Sequence, residues 1–161
     1  APYEFEDPQL DALGRDHRLV LVTAHRRESF GPPLQSICSA LRELVAANPD
    51  IEIAYPVHPN PNVETVVRAA LSDVDRIHLI APLDYVPFVH LMKRATLMLT
   101  DSGGVQEEAP SLGLPVLVLR DVTERPEAVH AGTAQLVGTD CPRIVAAAQS
   151  LWGWQGQRTH R

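Results

Sequence analysis

Thr96-Leu97-Met98-Leu99-Thr100-Asp101-Ser102-Gly103-Gly104-Val105-Gln106-Glu107-Glu108-Ala109-Pro110 passes from an apolar run into a glycine-bearing turn. Thr96–Leu99 reads as a buried strand, and the residues from Gly103 onward as a helix whose first turn is Gly-Gly. A Ser102 hydroxyl and bare backbone N–H groups at a helix N-terminus form an anion site that suits a phosphate. Two adjacent glycines cost a helix about 1 kcal/mol each against alanine. That cost is easier to understand where something approaches the backbone closely. Serine is also a favoured N-cap in any helix, so an ordinary cap followed by a turn stands as the alternative. Further on, Glu107 and Glu108 offer carboxylates that accept sugar hydroxyls; the plain alternative is a solvated surface carboxylate. The whole pattern points to a nucleotide diphosphate. The Pro110 ring predicts a short or kinked helix, with Gly113 as its stop.

Outward from this junction, six short apolar runs punctuate the chain: Leu19–Thr23, Ile51–Val57, Ile77–Ile80, Thr96–Leu99, Val116–Leu119 and Ala134–Val137. Most are continuous rather than alternating, as in parallel strands covered on both faces. Between them lie stripes at helical spacing: Leu34 to Val45, Val63 to Leu71, Phe88 to Met92, and Ile144 to Trp152. These are core residues. The alternation predicts an α/β fold, a Rossmann-like doubly wound parallel sheet with right-handed crossovers. Ligands then sit beyond the carboxyl ends of the strands. That edge should carry His25-Arg26-Arg27-Glu28, His58-Pro59-Asn60-Pro61, Pro82-Leu83-Asp84-Tyr85, Asp101–Gly104 and Arg120–Arg125.

Each of these residues has a plain reading beside the functional one. His25 is either a satisfied, partly buried side chain or a donor that stabilises a departing diphosphate. Arg26 and Arg27 are solvated, paired with Glu28, or part of the anion site. His58 and Asn60 are held out of helical geometry by Pro59 and Pro61, which serves turn chemistry and binding equally. Phe88 lies on a helical apolar stripe, so core packing is favoured over stacking on a base. Glu124 and Arg125 form a local ion pair of little weight or shape the mouth of the site.

The bulk numbers bound these readings. The 161 residues make about one domain, Ala1–His17 reading as a linker-like segment, 18–152 as the domain and 153–161 as a loose tail. A formal net charge of −6 argues against nucleic-acid binding through bulk electrostatics. The two cysteines, Cys38 and Cys141, show no metal-ligand spacing, so the expectation is a cytoplasmic protein with no metal and no cofactor. No apolar run approaches the roughly 20 residues that span a bilayer.

Together, His25-Arg26-Arg27-Glu28-Ser29, His58-Pro59-Asn60-Pro61, Asp101-Ser102-Gly103-Gly104-Val105-Gln106-Glu107-Glu108-Ala109-Pro110 and Arg120-Asp121-Val122-Thr123-Glu124-Arg125-Pro126-Glu127 closely resemble the non-hydrolysing UDP-N-acetylglucosamine 2-epimerases. The likeness runs from about Arg18 to Gly138. It implies the UDP-binding, C-terminal half of a glycosyltransferase-B-like fold. It implies an isomerase of polysaccharide biosynthesis that interconverts UDP-GlcNAc and UDP-ManNAc by eliminating UDP and adding it back. By that resemblance His25 lies by the diphosphate and assists the leaving group. Ser102, Gly103 and Gly104 hold phosphate, Glu108 holds the ribose, Phe88 lies by the uracil, and Arg125 belongs to the same site. Arg26 and His58 match positions that bind a second, activating UDP-GlcNAc in bacterial members. The family's N-terminal half, whose carboxylates move the C2 proton, and its Asn-Pro-Tyr-Gly-Asp-Gly word have no counterpart in these residues. The expected partner is UDP-GlcNAc or UDP, with neither nucleic acid nor membrane, and the resemblance leaves room for a homodimer of the full-length protein. The alternatives are the donor-binding half of a UDP-sugar glycosyltransferase, a hydrolysing relative, and a non-catalytic UDP-sugar-binding protein.

Overall fold

The computed structural model describes residue 5 and residues 7–102, 108–109, 111–120 and 134–159. Six parallel strands form one sheet in the order β3-β2-β1-β4-β5-β6. They are β1 (Arg18–Thr23), β2 (Ile51–Pro56), β3 (Ile77–Ile80), β4 (Ala95–Thr100), β5 (Val116–Val118) and β6 (Ala134–Leu136). The helices are α1 (Pro8–Ala12), α2 (Pro32–Ala47), α3 (Pro61–Leu71), α4 (Tyr85–Arg94) and α5 (Cys141–Thr159). The order is that of a doubly wound sheet, and it reverses direction between β1 and β4.

The continuous apolar strands divide their side chains between two cores because successive residues point to opposite faces. Val20 and Val22 of β1 join Ile53, Tyr55, Leu97 and Leu99 on the face covered by α2, α3 and α5. Leu19 and Leu21 join Ala54, Met98 and Val118 on the face covered by Leu91 and Met92 of α4. Phe5 and Leu13, ahead of β1, are buried in this second core. Along α2, Leu34, Ile37, Cys38, Leu41, Leu44 and Val45 are all buried, which is the stripe read from the sequence. Burying each large aliphatic side chain is worth roughly 1.5–3 kcal/mol.

Local chemistry sets where the helices start. Asn60 accepts from the Asn62 N–H at 2.9 Å and Pro61 opens α3. Asp140 accepts from the Arg143 N–H at 3.2 Å at the start of α5. Gly113 has φ +72°, the left-handed turn expected of a helix stop. Residues 103–107 and Pro110, where the sequence places the first turn and the break of that short helix, lie outside the described residues.

One buried bond links the sheet to the loop that leaves β1. The Tyr55 hydroxyl on β2 donates to the Ala24 carbonyl at 2.7 Å, and Tyr55 is fully buried. Replacing it by phenylalanine keeps the ring but strands that carbonyl. Tyr55→Phe should lower stability by about 1–2 kcal/mol in urea unfolding. An unchanged midpoint would show that the Ala24 carbonyl has another partner.

Candidate functional site

The carboxyl ends of β1 and β4 are sewn together by short polar side chains. The Thr23 and Thr100 hydroxyls lie 2.7 Å apart, and the Thr100 oxygen accepts from the Ser102 N–H at 2.9 Å. The Asp101 N–H donates to the Thr23 carbonyl at 3.1 Å. Asp101 itself is fully buried, and its Oδ2 accepts from the backbone N–H groups of His25 and Arg26, each at 2.9 Å. The Ser29 hydroxyl reaches the same oxygen at 3.4 Å. The loop after β1 is therefore folded around a carboxylate delivered by β4.

A cavity of about 310 Å³ opens on this edge. Thr23 and His25 line it from β1, Pro56 and His58 from β2, Pro82 and Leu83 from beyond β3, Phe88 from α4, and Ser102 from beyond β4. Its volume falls at the lower end of small-molecule sites. It lies beyond strand ends on both sides of the point where the strand order reverses, where this class of sheet takes its ligands.

Of the residues singled out from the sequence, His25, His58, Phe88 and Ser102 meet around this cavity. The His25 and His58 rings stack with centroids 5.7 Å apart and planes within 10°. His58 serves its turn as well, its Nδ1 accepting from the Asn60 N–H at 3.1 Å. Phe88 is partly buried against the second core, as the core reading expects, and it also lines the cavity. Arg26 contributes its backbone N–H to Asp101. Glu108 does not line the cavity; its Oε1 accepts from the Tyr85 hydroxyl at 2.6 Å. Gly103, Gly104 and Arg125 lie outside the described residues.

The burial of Asp101 and the pairing of Tyr85 with Glu108 escaped the sequence reading. Asp101 was legible only as part of a word, since nothing local marks its burial. Tyr85 holds Glu108 across 23 residues of sequence, and it is 68% exposed at the head of α4.

The family model for UDP-N-acetylglucosamine 2-epimerases matches residues 4–160. The chain belongs to the UDP-N-acetylglucosamine 2-epimerase family. A probable UDP-N-acetylglucosamine 2-epimerase of Ralstonia nicotianae is 60% identical over 136 residues, covering 84% of this chain and 36% of that protein. The crystal structure of the UDP-GlcNAc 2-epimerase of Neisseria meningitidis bound to UDP-GlcNAc superposes with a TM-score of 0.85 at 47% identity, over 87% of this chain and 38% of that one. A co-structure of S. aureus MnaA with UDP gives a TM-score of 0.87 at 46% identity, over 92% and 40%. The chain thus spans about two fifths of the length of such relatives, matching their C-terminal part. The sheet is the Rossmann-like half of a glycosyltransferase-B-like fold. Among the described residues, no helix of this epimerase-family chain is long and apolar enough to cross a membrane.

The hydrogen bond to Glu108, reinforced by its negative charge, raises the Tyr85 phenol above the ordinary tyrosine value of 10.0. Tyr85 should therefore stay protonated to higher pH than a free tyrosine. Glu108→Gln removes the charge and should move its titration, followed by NMR of labelled tyrosine, back down. An unmoved curve would mean that the two side chains do not pair in solution.

Proposed function

We propose that this chain binds the UDP part of UDP-GlcNAc, and that the whole protein of which such a domain is the C-terminal part interconverts UDP-GlcNAc and UDP-ManNAc. The convergence of His25 and Ser102 on one cavity at the sheet's reversal point carries this reading. Family membership, and relatives whose structures hold UDP-GlcNAc or UDP, support it.

The chemistry divides into two demands. The bond from C1 to the diphosphate breaks as C2 loses its proton, giving UDP and a 2-acetamidoglucal. UDP then adds back to C1 while a proton returns to the opposite face of C2. The first demand is a stabilised leaving group, met by donors aimed at developing negative charge. His25 beside the diphosphate, and Ser102 with Gly103 and Gly104 on phosphate, supply them. Glu108 accepts from the ribose diol, exchanging Tyr85 for ribose hydroxyls, and Phe88 flanks the uracil. Arg125 completes the site, and Arg26 with His58 serves a second UDP-GlcNAc. The second demand is a base for the C2 proton. Among the described residues lining the cavity there is no carboxylate to provide it.

Calorimetric titration of UDP tests the assignment. Ser102→Ala and Glu108→Ala should each weaken binding by about tenfold, the worth of a hydrogen bond to a charged or strongly polar group. His25→Ala should weaken it too. Equal affinity in wild type and all three variants would remove the site. The 161 residues alone should bind UDP without turning over UDP-GlcNAc. Formation of UDP-ManNAc by the chain alone would refute the division of labour, and release of free ManNAc would mark a hydrolysing enzyme.

A further inference from the structure

The Asp101 carboxylate is bound unevenly. Oδ2 takes two backbone N–H groups at 2.9 Å and the Ser29 hydroxyl at 3.4 Å. Oδ1 is equally buried and has no hydrogen-bond partner among the described residues. A buried carboxylate oxygen without a donor is costly. His25 Nδ1 lies 3.5 Å from it. That is only slightly beyond the usual 2.7–3.2 Å range of an N–H···O bond. His25 keeps 44% of its side chain exposed, so a small turn of its ring closes the gap.

We propose that Asp101 is a positioning residue for His25, holding a proton at His25 Nδ1 so that Nε2 is the atom offered to a bound anion. An ionised carboxylate only accepts, so the nitrogen facing it must carry hydrogen. Among the described residues the His58 ring also packs against His25, its Nδ1 accepting from the Asn60 N–H. It makes no hydrogen bond to Oδ1. With Nδ1–H held by the carboxylate, Nε2 donates to a phosphate oxygen only when it too carries a proton. When the diphosphate departs, the Nε2 proton passes to its oxygen and the ring returns to the neutral Nδ1–H form. The pairing is independent of the ligand; only the identity of the anion rests on the UDP reading.

The test is nitrogen-15 NMR of the His25 ring, assigned by its disappearance in His25→Gln, at a pH where the ring is neutral and without ligand. Wild type should show the Nδ1–H tautomer. In Asp101→Asn the amide oxygen can still take the two backbone N–H groups while its NH2 turns to the ring, so His25 should switch to Nε2–H. An Nε2–H tautomer in wild type, or one tautomer in both proteins, overturns the proposal. If Asp101→Asn does not fold, the wild-type tautomer alone decides. A tautomer switch in a protein that never binds UDP upholds the pairing and rejects the UDP reading.

Discussion

The ligand edge of this sheet depends on a carboxylate turned inward. Asp101 follows β4, yet its contacts are with the loop that follows β1. Taking a carboxylate out of water costs several kcal/mol even after relaxation. Charge-assisted bonds from two backbone N–H groups, each stronger than a neutral bond, offset part of that cost, with the Ser29 hydroxyl farther off at 3.4 Å. The same bonds satisfy amides of a turn that no strand or helix ladder reaches. A protein that buries a charge in this way gains a fixed geometry between two loops distant in sequence. His25 is carried by one of those loops and Ser102 by the other.

That tie works because the sheet brings the loops together first. Parallel pairing of β1 with β4 places Thr23 opposite Thr100, and their hydroxyls meet at 2.7 Å. The pairing in turn is fixed by the two cores. A slip of one residue would send Val20 and Val22 to the face that now takes Leu19 and Leu21, and every contact with α2 would be exchanged for one with α4. Apolar packing therefore sets the register, the register sets the threonine clip, and the clip sets the distance between the two halves of the cavity wall.

The apolar part of this chain was legible to within a residue or so. Ile77–Ile80 is the strand expected, and Val116–Val118 differs from its expected run by Leu119 alone. Continuous apolar runs and helical stripes are local signals, and most of both cores follows from them, whereas Phe5 and Leu13, in the stretch read as linker-like, are buried in the second core. The polar edge was legible as a set of loops but not as a geometry. For His58 the sequence left turn chemistry and binding open; the structure shows the turn contact at Nδ1 and a ring stacked on His25 at the cavity wall. Asp101 was opaque for a physical reason: a charged residue just past a strand normally ends in solvent. Only tertiary pairing reveals that its donors lie in the loop 76 residues earlier. The Tyr85 to Glu108 bond is opaque for the same reason.

The electrostatics of the edge follow from this arrangement. The chain carries a net charge of −6, which at long range repels an anion. At physiological ionic strength that field is screened within about 8 Å, so the wall of the cavity decides. The wall presents two histidine rings and a serine hydroxyl, with proline, leucine and phenylalanine between them. Asp101, beside His25, points its better-bonded oxygen into backbone N–H dipoles, which spread its charge. Its other oxygen faces an imidazole, the one side chain that converts a neighbouring negative charge into a stronger donor on its far side. A buried anion next to an anion site is thus no contradiction, provided a titratable ring stands between the two.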